Sequence, residues 1–263
     1  MIKLKYSFKD TIKNFILNHP KLKKYYTNTF PNSKYSLDII IEDILFVLKS
    51  GVSWRDTRSI IKWQSLFWHF QRFSKFNVFK SIFHQLRNLY SKQNSIELQI
   101  IDSTFIMNKF GKNKIARNKF FKNKNCNKIS VVSDSHGIPL SVLINTGNVH
   151  DLSFVEKHVS DLLVVTKKIN SITLLADKGY VSRKLKESVK LKNYDLIYPK
   201  KKNMAEEIII DPKLYKKRIN VEHTFQKLKL FKRIQLRYDS KISSFHSFVF
   251  IACSLLIYRG FQK

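Results

Sequence analysis

The stretch Leu98-Gln99-Ile100-Ile101-Asp102-Ser103-Thr104-Phe105 sets one carboxylate inside an otherwise apolar run. Such a run has the make-up of a central strand, where a lone carboxylate is costly unless it is paired or holds a metal ion. A second run, Ile172-Thr173-Leu174-Leu175-Ala176, ends on Asp177 and is followed by Lys178-Gly179-Tyr180. Ligand sites of open α/β sheets fall at such carboxyl ends, yet an aspartate there also suits the opening of a turn or the cap of the next helix. Each aspartate taken alone therefore has a functional and a structural reading.

Working outward, residues 97–106, 128–133 and 140–146 have strand patterning, with His136-Gly137 turning the second into the third. A helix is predicted over 153–168, a buried strand over 171–176, a helix over 185–192 and a strand over 195–198. Three strands, a helix and a fourth strand form a mixed α/β plan that matches the RNase H-like fold. Periodicity leaves several α/β folds open, and the carboxylates choose among them. Residues 37–49, 53–62 and 65–90 instead space their apolar side chains three and four apart, as helices do. Ser36 is positioned to cap the first of these, and Ser50-Gly51 to stop it. The expected division is an all-helical domain over 1–94 and an RNase H-like catalytic domain over 95–263. Two helices around the glycine turn, followed by Trp63, Phe67, Trp68 and Phe70, fit either a helix-turn-helix DNA reader or a plain helical bundle with an aromatic core.

Lys and Arg number 49 against 19 Asp and Glu, a formal charge of +30. A fold does not need that charge, and a polyanion relieves its self-repulsion. Nucleic acid is the expected partner, although a ribosomal-type basic protein or an AT-rich coding bias would also raise Lys. Cys126 and Cys253 lie far apart without a Cys-x-x-Cys pairing, which supports neither a disulfide framework nor a zinc knuckle. The N-terminus reads as lacking a secretion signal. Residues 245–258 read as a buried closing helix, too short and interrupted to span a bilayer, so no membrane is expected.

A third signal joins the two aspartates. In Tyr215-Lys216-Lys217-Arg218-Ile219-Asn220-Val221-Glu222-His223-Thr224-Phe225-Gln226-Lys227-Leu228-Lys229, the residues Tyr215, Arg218, Glu222 and Lys229 stand at offsets of 0, 3, 7 and 14. At roughly 100° per residue they fall within about 60° of one another on one helical face. Such a face can carry Glu222 to a metal site with basic residues beside it, though a solvated charged face has the same spacing. Two Mg²⁺ ions about 4 Å apart activate the attacking oxygen and stabilise the leaving one in phosphoryl transfer on DNA, and hard cations of this kind take carboxylate oxygens.

The spacing Tyr, two residues, Arg, three residues, Glu, six residues, Lys resembles the signature of insertion-sequence DDE transposases of the insertion-sequence five and four type. Ile101-Asp102-Ser103-Thr104 is similar to that family's first aspartate motif, and Ala176-Asp177-Lys178-Gly179-Tyr180 to its second. Gly147-Asn148-Val149-His150-Asp151, preceded by Gly137-Ile138-Pro139-Leu140, is similar to the stretch between them. Residues 48–56 resemble the helical domain preceding the catalytic core in the insertion-sequence five group, so the likeness spans roughly residues 37–260. Where the family often has a Gly-Arg-Ser-Arg-Gly-Gly type stretch, this chain reads Ala116-Arg117-Asn118-Lys119-Phe120-Phe121, keeping the basic character and losing the glycines.

The resemblance implies a DNA transposase that nicks and joins DNA ends without a covalent enzyme intermediate. Asp102, Asp177 and Glu222 would hold two Mg²⁺, with Mn²⁺ able to substitute, while Tyr215, Arg218 and Lys229 attend the substrate backbone. Its partners would be the inverted-repeat ends of its element and target DNA, bound by a homodimer or larger assembly. Cytoplasmic, nucleoid-associated placement is expected in a prokaryotic host and nuclear placement in a eukaryotic one. The alternatives are a domesticated or inactive DNA-binding relative, or an RNase H-like nuclease without strand transfer.

Other features remain open at this level. Lys109, Lys112, Lys114, Arg117, Lys119, Lys122, Lys124 and Lys128 form a basic band that reads as a solvated loop or as a phosphate-tracking arm, with Phe120 and Phe121 available to stack on bases. His150 and Asp151 either lie near the metals, or Asp151 caps the following helix. His223 points about 100° away from Glu222 and is not counted as a ligand. Pro199-Lys200-Lys201-Lys202 reads as a DNA-contacting surface or a nuclear-entry cluster.

Overall fold

The computed structural model describes residues 7–26, 35–111, 116–200 and 210–262. In chain order these form α1 (Phe8–Asn18), α2 (Lys23–Tyr26), α3 (Leu37–Ser50), α4 (Trp63–Lys75), α5 (Val78–Ser91), β1 (Leu98–Met107), β2 (Ala116–Asn118), β3 (Lys124–Asp134), β4 (Pro139–Thr146), α6 (Leu152–Thr166), β5 (Ile172–Leu175), α7 (Arg183–Lys190), β6 (Tyr194–Ile197), α8 (Pro212–Lys216), α9 (Ile219–Leu230), α10 (Lys232–Leu236) and α11 (Ile242–Gly260). They gather into two compact units. One holds the described residues within Met1–Arg87, Lys109–Asn113 and Leu228–Lys263, and the other those within Asn88–Asn108 and Lys114–Lys227.

The first unit is helical and takes its last helices from the end of the chain, so it is discontinuous in sequence. Helix α3 begins where Ser36 Oγ accepts the Asp38 N–H and stops at Gly51, whose φ of 73° is the left-handed cap that glycine supplies without strain. The helix expected over 53–62 does not form; only a 3₁₀ turn, Trp54–Asp56, follows the glycine. Local side chains take its place: Ser53 Oγ donates to Asp56 Oδ2 at 2.6 Å and Thr57 Oγ1 to the Trp54 carbonyl at 2.8 Å. Short hydroxyl side chains compete with the helix ladder in this way, and they leave no second helix directly after the turn, as a helix-turn-helix requires. The expected helix over 65–90 divides into α4 and α5 at Asn77, which adopts a φ of 54°.

An aromatic stack fills this unit. Phe70 lies against Phe248 with ring centroids 4.5 Å apart and against Trp54 at 5.0 Å. Phe248 belongs to α11, which by length and composition is long and apolar enough to cross a membrane, although 61% of it is buried within the fold. Buried Phe245, Phe248, Ile251 and Leu256 make it a closing core helix, as its composition suggested, but at 19 residues it is longer than the segment read from sequence and is not too short to span a bilayer.

The second unit is the RNase H-like plan expected from the strand order. β1 pairs antiparallel with β3 and parallel with β5, β5 pairs parallel with β6, and β4 returns antiparallel along β3. Short β2, inside the stretch read as a basic loop, pairs with the start of β3 through Ala116↔Cys126 and Asn118↔Lys124. The β3–β4 turn closes at Gly137, φ 77°, where the space a Cβ would fill lies 2.7 Å from the Asn220 carbonyl. Thr224 Oγ1 donates to the Gly137 carbonyl at 2.7 Å and Asn220 Nδ2 to the Ser135 carbonyl at 2.7 Å. This turn thereby fixes the first half of α9 beside the sheet.

Gly137→Ala is expected to destabilise the protein by about 1–3 kcal/mol, combining left-handed strain with overpacking. A lowered urea midpoint with unchanged slope checks this, and an unchanged midpoint would show that the turn does not hold α9.

Candidate active site

Parallel register brings the two aspartates together. Ile100 pairs with Leu175, so two residues further along, Asp102, still within β1 and paired with Val131 of β3, comes beside Asp177, which has just left the end of β5. Asp177 opens a turn, as its structural reading expected: its Oδ1 accepts the Gly179 N–H at 2.7 Å as the cap of a 3₁₀ turn, Lys178–Tyr180. On the other side, Asp102 Oδ1 accepts the Ser103 N–H at 2.7 Å. Its Oδ2 meets Arg218 Nη2 at 3.3 Å, and Arg218 Nη1 is steadied by the Tyr215 hydroxyl at 3.0 Å.

Asp151 completes the group. Its side chain makes no cap to the following helix; Oδ1 instead accepts from Ser103 Oγ at 2.5 Å and from Lys128 Nζ at 3.0 Å. Lys128 also donates to the Val149 carbonyl at 2.8 Å and is only 4% exposed. It therefore cannot belong to an outward basic band, and that reading is corrected: Lys128 pins the 149–151 segment to β3 and neutralises Asp151. Ser103 is held twice, by its N–H on Asp102 and its hydroxyl on Asp151, which fixes the rotamer of Asp102. Neither Ser103 nor Lys128 stood out in the sequence as a site residue, because each reads as ordinary strand polarity or surface charge; the signal was their place on neighbouring strands.

Burial pushes the Asp102 carboxyl up to about 6; the Ser103 N–H and Arg218 pull against burial, while Asp177 and Asp151 add to it. Burial also works against the Arg218 charge, but the Tyr215 hydroxyl and Asp102 outweigh it and hold the guanidinium above its ordinary value. Tyr180, buried beside all three aspartates, is pushed well up, first by desolvation and then by their charges.

The four residues of the third motif do not lie on one helix. Tyr215 sits in α8, and tight turns with Lys217 N–H on Leu214 O and Asn220 N–H on Lys217 O separate it from α9. Arg218 falls in that break, which lets it reach both Tyr215 and Asp102. Glu222 lies in the first turn of α9 and is exposed; Lys229 lies near the end of the same helix, where burial lowers its ammonium pKa. His223 is exposed beside Glu222, and His150 is exposed with Nδ1 accepting the Leu152 N–H at 3.3 Å.

Among the described residues no three His, Cys, Asp or Glu side chains form a ready-made metal cage. Two neighbouring carboxylates facing one arginine nevertheless suit Mg²⁺, which keeps several waters and takes only one or two carboxylates plus substrate phosphate.

In the basic segment, Arg117, Lys119, Lys122 and Lys124 are exposed, while Lys112, Lys114 and the Phe120 side chain, like Lys201 and Lys202, lie outside the described residues. Phe121 stacks on Phe105 at 5.5 Å, so it is engaged within the fold rather than held out for a base.

Residues 93–257, more than half of the chain, match the family model described as Transposase DDE domain. The chain therefore belongs to the transposase DDE domain family, a class of DNA transposases. A Brucella ovis protein provisionally named as the transposase for insertion sequence element IS6501 is 29% identical over 134 residues, covering 50% of this chain and 98% of the relative. Among solved structures, piggyBac transposase in a synaptic complex with hairpin DNA aligns with a TM-score of 0.45 and 11% identity, over 97% of this chain and 65% of that one. The Mos1 transposase catalytic domain, solved with Raltegravir and Mn, aligns with a TM-score of 0.29 and 10% identity, over 62% of this chain and 94% of that one.

The raised pKa of Asp102 has a direction in stability. A carboxyl that titrates near 6 when folded and near 3.8 when unfolded stabilises the protein fully below about 4, and that contribution is lost as pH rises through about 6. With chelator present, the wild-type denaturation midpoint is expected to fall over this window relative to Asp102→Asn. Parallel profiles for the two proteins would refute the assignment.

Proposed function

We propose that this chain is an active transposase that nicks DNA at the ends of its element and joins them to target DNA, with Asp102, Asp177 and Glu222 holding the divalent ions. The reading is supported by one observation: the parallel register of β1 and β5 sets Asp102, in the middle of β1, beside Asp177, just past the end of β5, with Arg218 against Asp102, in a chain of the transposase DDE domain family.

Two Mg²⁺, or Mn²⁺ in their place, would supply Lewis acidity toward the attacking and leaving oxygens. The protein's own groups have separate tasks. Ser103 and Lys128, through Asp151, hold Asp102 in place. Arg218 is a preformed fork for a DNA phosphate once released from Asp102, and Tyr215 aims it. Glu222, exposed in the first turn of α9 four residues after Arg218, would complete the ligand set once substrate is bound. Lys229 and the exposed Arg117, Lys119, Lys122 and Lys124 follow the backbone. The substrates are the inverted-repeat ends and a target duplex, and joining two ends calls for a dimer or larger assembly.

Asp102→Ala, Asp177→Ala and Glu222→Ala should each lower Mg²⁺-dependent nicking by at least about a thousandfold while DNA binding persists. Wild-type cleavage by any of them would remove that residue from the site, and cleavage without joining in the unaltered protein would make it a nuclease. Lys119→Ala with Lys122→Ala should weaken DNA binding and lower the slope of log K against log salt by about 2; an unchanged slope would exclude the segment from the DNA path.

A further inference from the structure

Helix α4 carries Trp68 and Arg72 four residues apart and hence on one face. The Arg72 guanidinium lies 3.4 Å from the Trp68 ring centroid and 3.9 Å from that of Tyr25, and Lys24 Nζ stands 5.1 Å from the same Tyr25 ring. The result is a ladder of cation, ring, cation and ring. Its rings face outward, with Trp68 50% and Tyr25 37% exposed.

The ladder is built rather than incidental. Tyr26, next to Tyr25, is buried; its hydroxyl bonds His69 Nδ1 at 2.7 Å and its ring packs on Phe73 with centroids 5.4 Å apart. That anchor docks short α2 on α4 and leaves Tyr25 on the outside, over Arg72. Two aromatic side chains are thus held in fixed orientation at the surface, which spares a ligand the cost of ordering them.

Charge identifies the ligand. Residues 11–37 and 57–96, which supply the ladder, contain twelve Lys and Arg and no Asp or Glu, and of the twelve Lys13 is paired with Asp38 and Arg87 is buried. Acids elsewhere in the helical unit are engaged: Asp38 and Glu42 with Lys13 and Lys9, Asp56 with Ser53, and Asp239 with Arg233. A predominantly basic stretch bearing oriented rings is the chemistry that holds single-stranded nucleic acid, cations on phosphates and rings on base faces.

We infer that the Tyr25–Arg72–Trp68 ladder is a DNA contact of the helical unit, with Trp68 stacking on an unpaired base and Arg72 and Lys24 holding the adjoining phosphates. It rests on the DNA reading given above and assigns that reading a surface distinct from the carboxylates. It also gives the helical unit a way to engage DNA that needs no helix-turn-helix.

The test is fluorescence anisotropy on the full chain with two probes, a blunt duplex and the same duplex carrying a single-stranded tail of about ten thymidines. Trp68→Ala should weaken binding to the tailed probe on the order of tenfold, change blunt-duplex binding little, and leave the salt slope unaltered. Trp68→Phe should restore most of the loss, and Arg72→Ala should lower the salt slope by about 1. Equal binding of tailed DNA by wild type, Trp68→Ala and Arg72→Ala would overturn the inference while the DNA reading stood. Failure of the wild type to bind either probe would overturn the DNA reading itself. If Trp68→Ala changed the sedimentation of the DNA-free protein and not its affinity for tailed DNA, the ladder would be a protein interface and the inference would fail.

Discussion

The sheet-bearing unit is organised around one electrostatic constraint, a carboxylate at Asp102 that the central strand half-buries beside two others. Desolvation and the charges of Asp177 and Asp151 favour its protonated form, and Arg218 opposes them from 116 residues further along the chain. That partner must be delivered accurately. The β3–β4 turn does it, because the Gly137 carbonyl grips Thr224 and the Ser135 carbonyl grips Asn220, which sets the start of α9 and the irregular turns that carry Arg218. The hairpin thus also positions the arginine that balances the site. A side chain at residue 137 would act on both the fold and the chemistry.

The sheet was legible because its strands are short apolar runs with turn residues between them, and this local pattern survives folding. Asp102 and Asp177 were legible because charge stands out in such runs. Lys128 was misread for the opposite reason. Seven other Lys and Arg lie near it in sequence, and only strand pairing shows that it faces Asp151 and the Val149 carbonyl while Arg117, Lys119, Lys122 and Lys124 face water. Asp151 could not be decided from sequence either, since an acid before a helix usually caps it; a long-range lysine and serine claimed it instead. Spacing alone placed Tyr215, Arg218, Glu222 and Lys229 on one helix. The chain breaks that helix at 217–218, and the break gives Arg218 its two partners. In the helical unit, Ser53 bonds Asp56 and Thr57 bonds the Trp54 carbonyl, which removes the helix that apolar spacing suggested.

Charge is divided between two uses in this chain. Arg233 and Arg237 are buried with Asp239, and Arg233 also donates to the Val52 carbonyl at 2.8 Å, so they hold the helical unit together and are closed to a polyanion. Breaking such a pair from one side leaves an uncompensated buried charge, which costs far more than a surface ion pair contributes. Among the described residues Arg87, Lys128, Arg233 and Arg237 are the buried cations, and most of the others reach the surface. The acid-free segments 11–37 and 57–96 and the exposed basic residues at 117–124 each gather such cations.

The balance inside the site bears on what it must bind. Three aspartates, Asp102, Asp151 and Asp177, face two held cations, Lys128 and Arg218, and Lys128 is committed to Asp151. Arg218 is left to serve Asp102 and Asp177 together, and the Asp102 carboxyl is pushed up to about 6 first by burial and then by the charges of Asp177 and Asp151, which Arg218 only partly offsets. A phosphodiester brought to this point adds another negative charge and competes for the same guanidinium. If Arg218 turns to the phosphate, Asp102 loses its partner; if it stays, the phosphate is repelled. Both demands are met only when further positive charge arrives with the substrate, as the proposed divalent ions would provide. Glu222, exposed in the first turn of α9, is the further carboxylate that the proposed function would add to those ions.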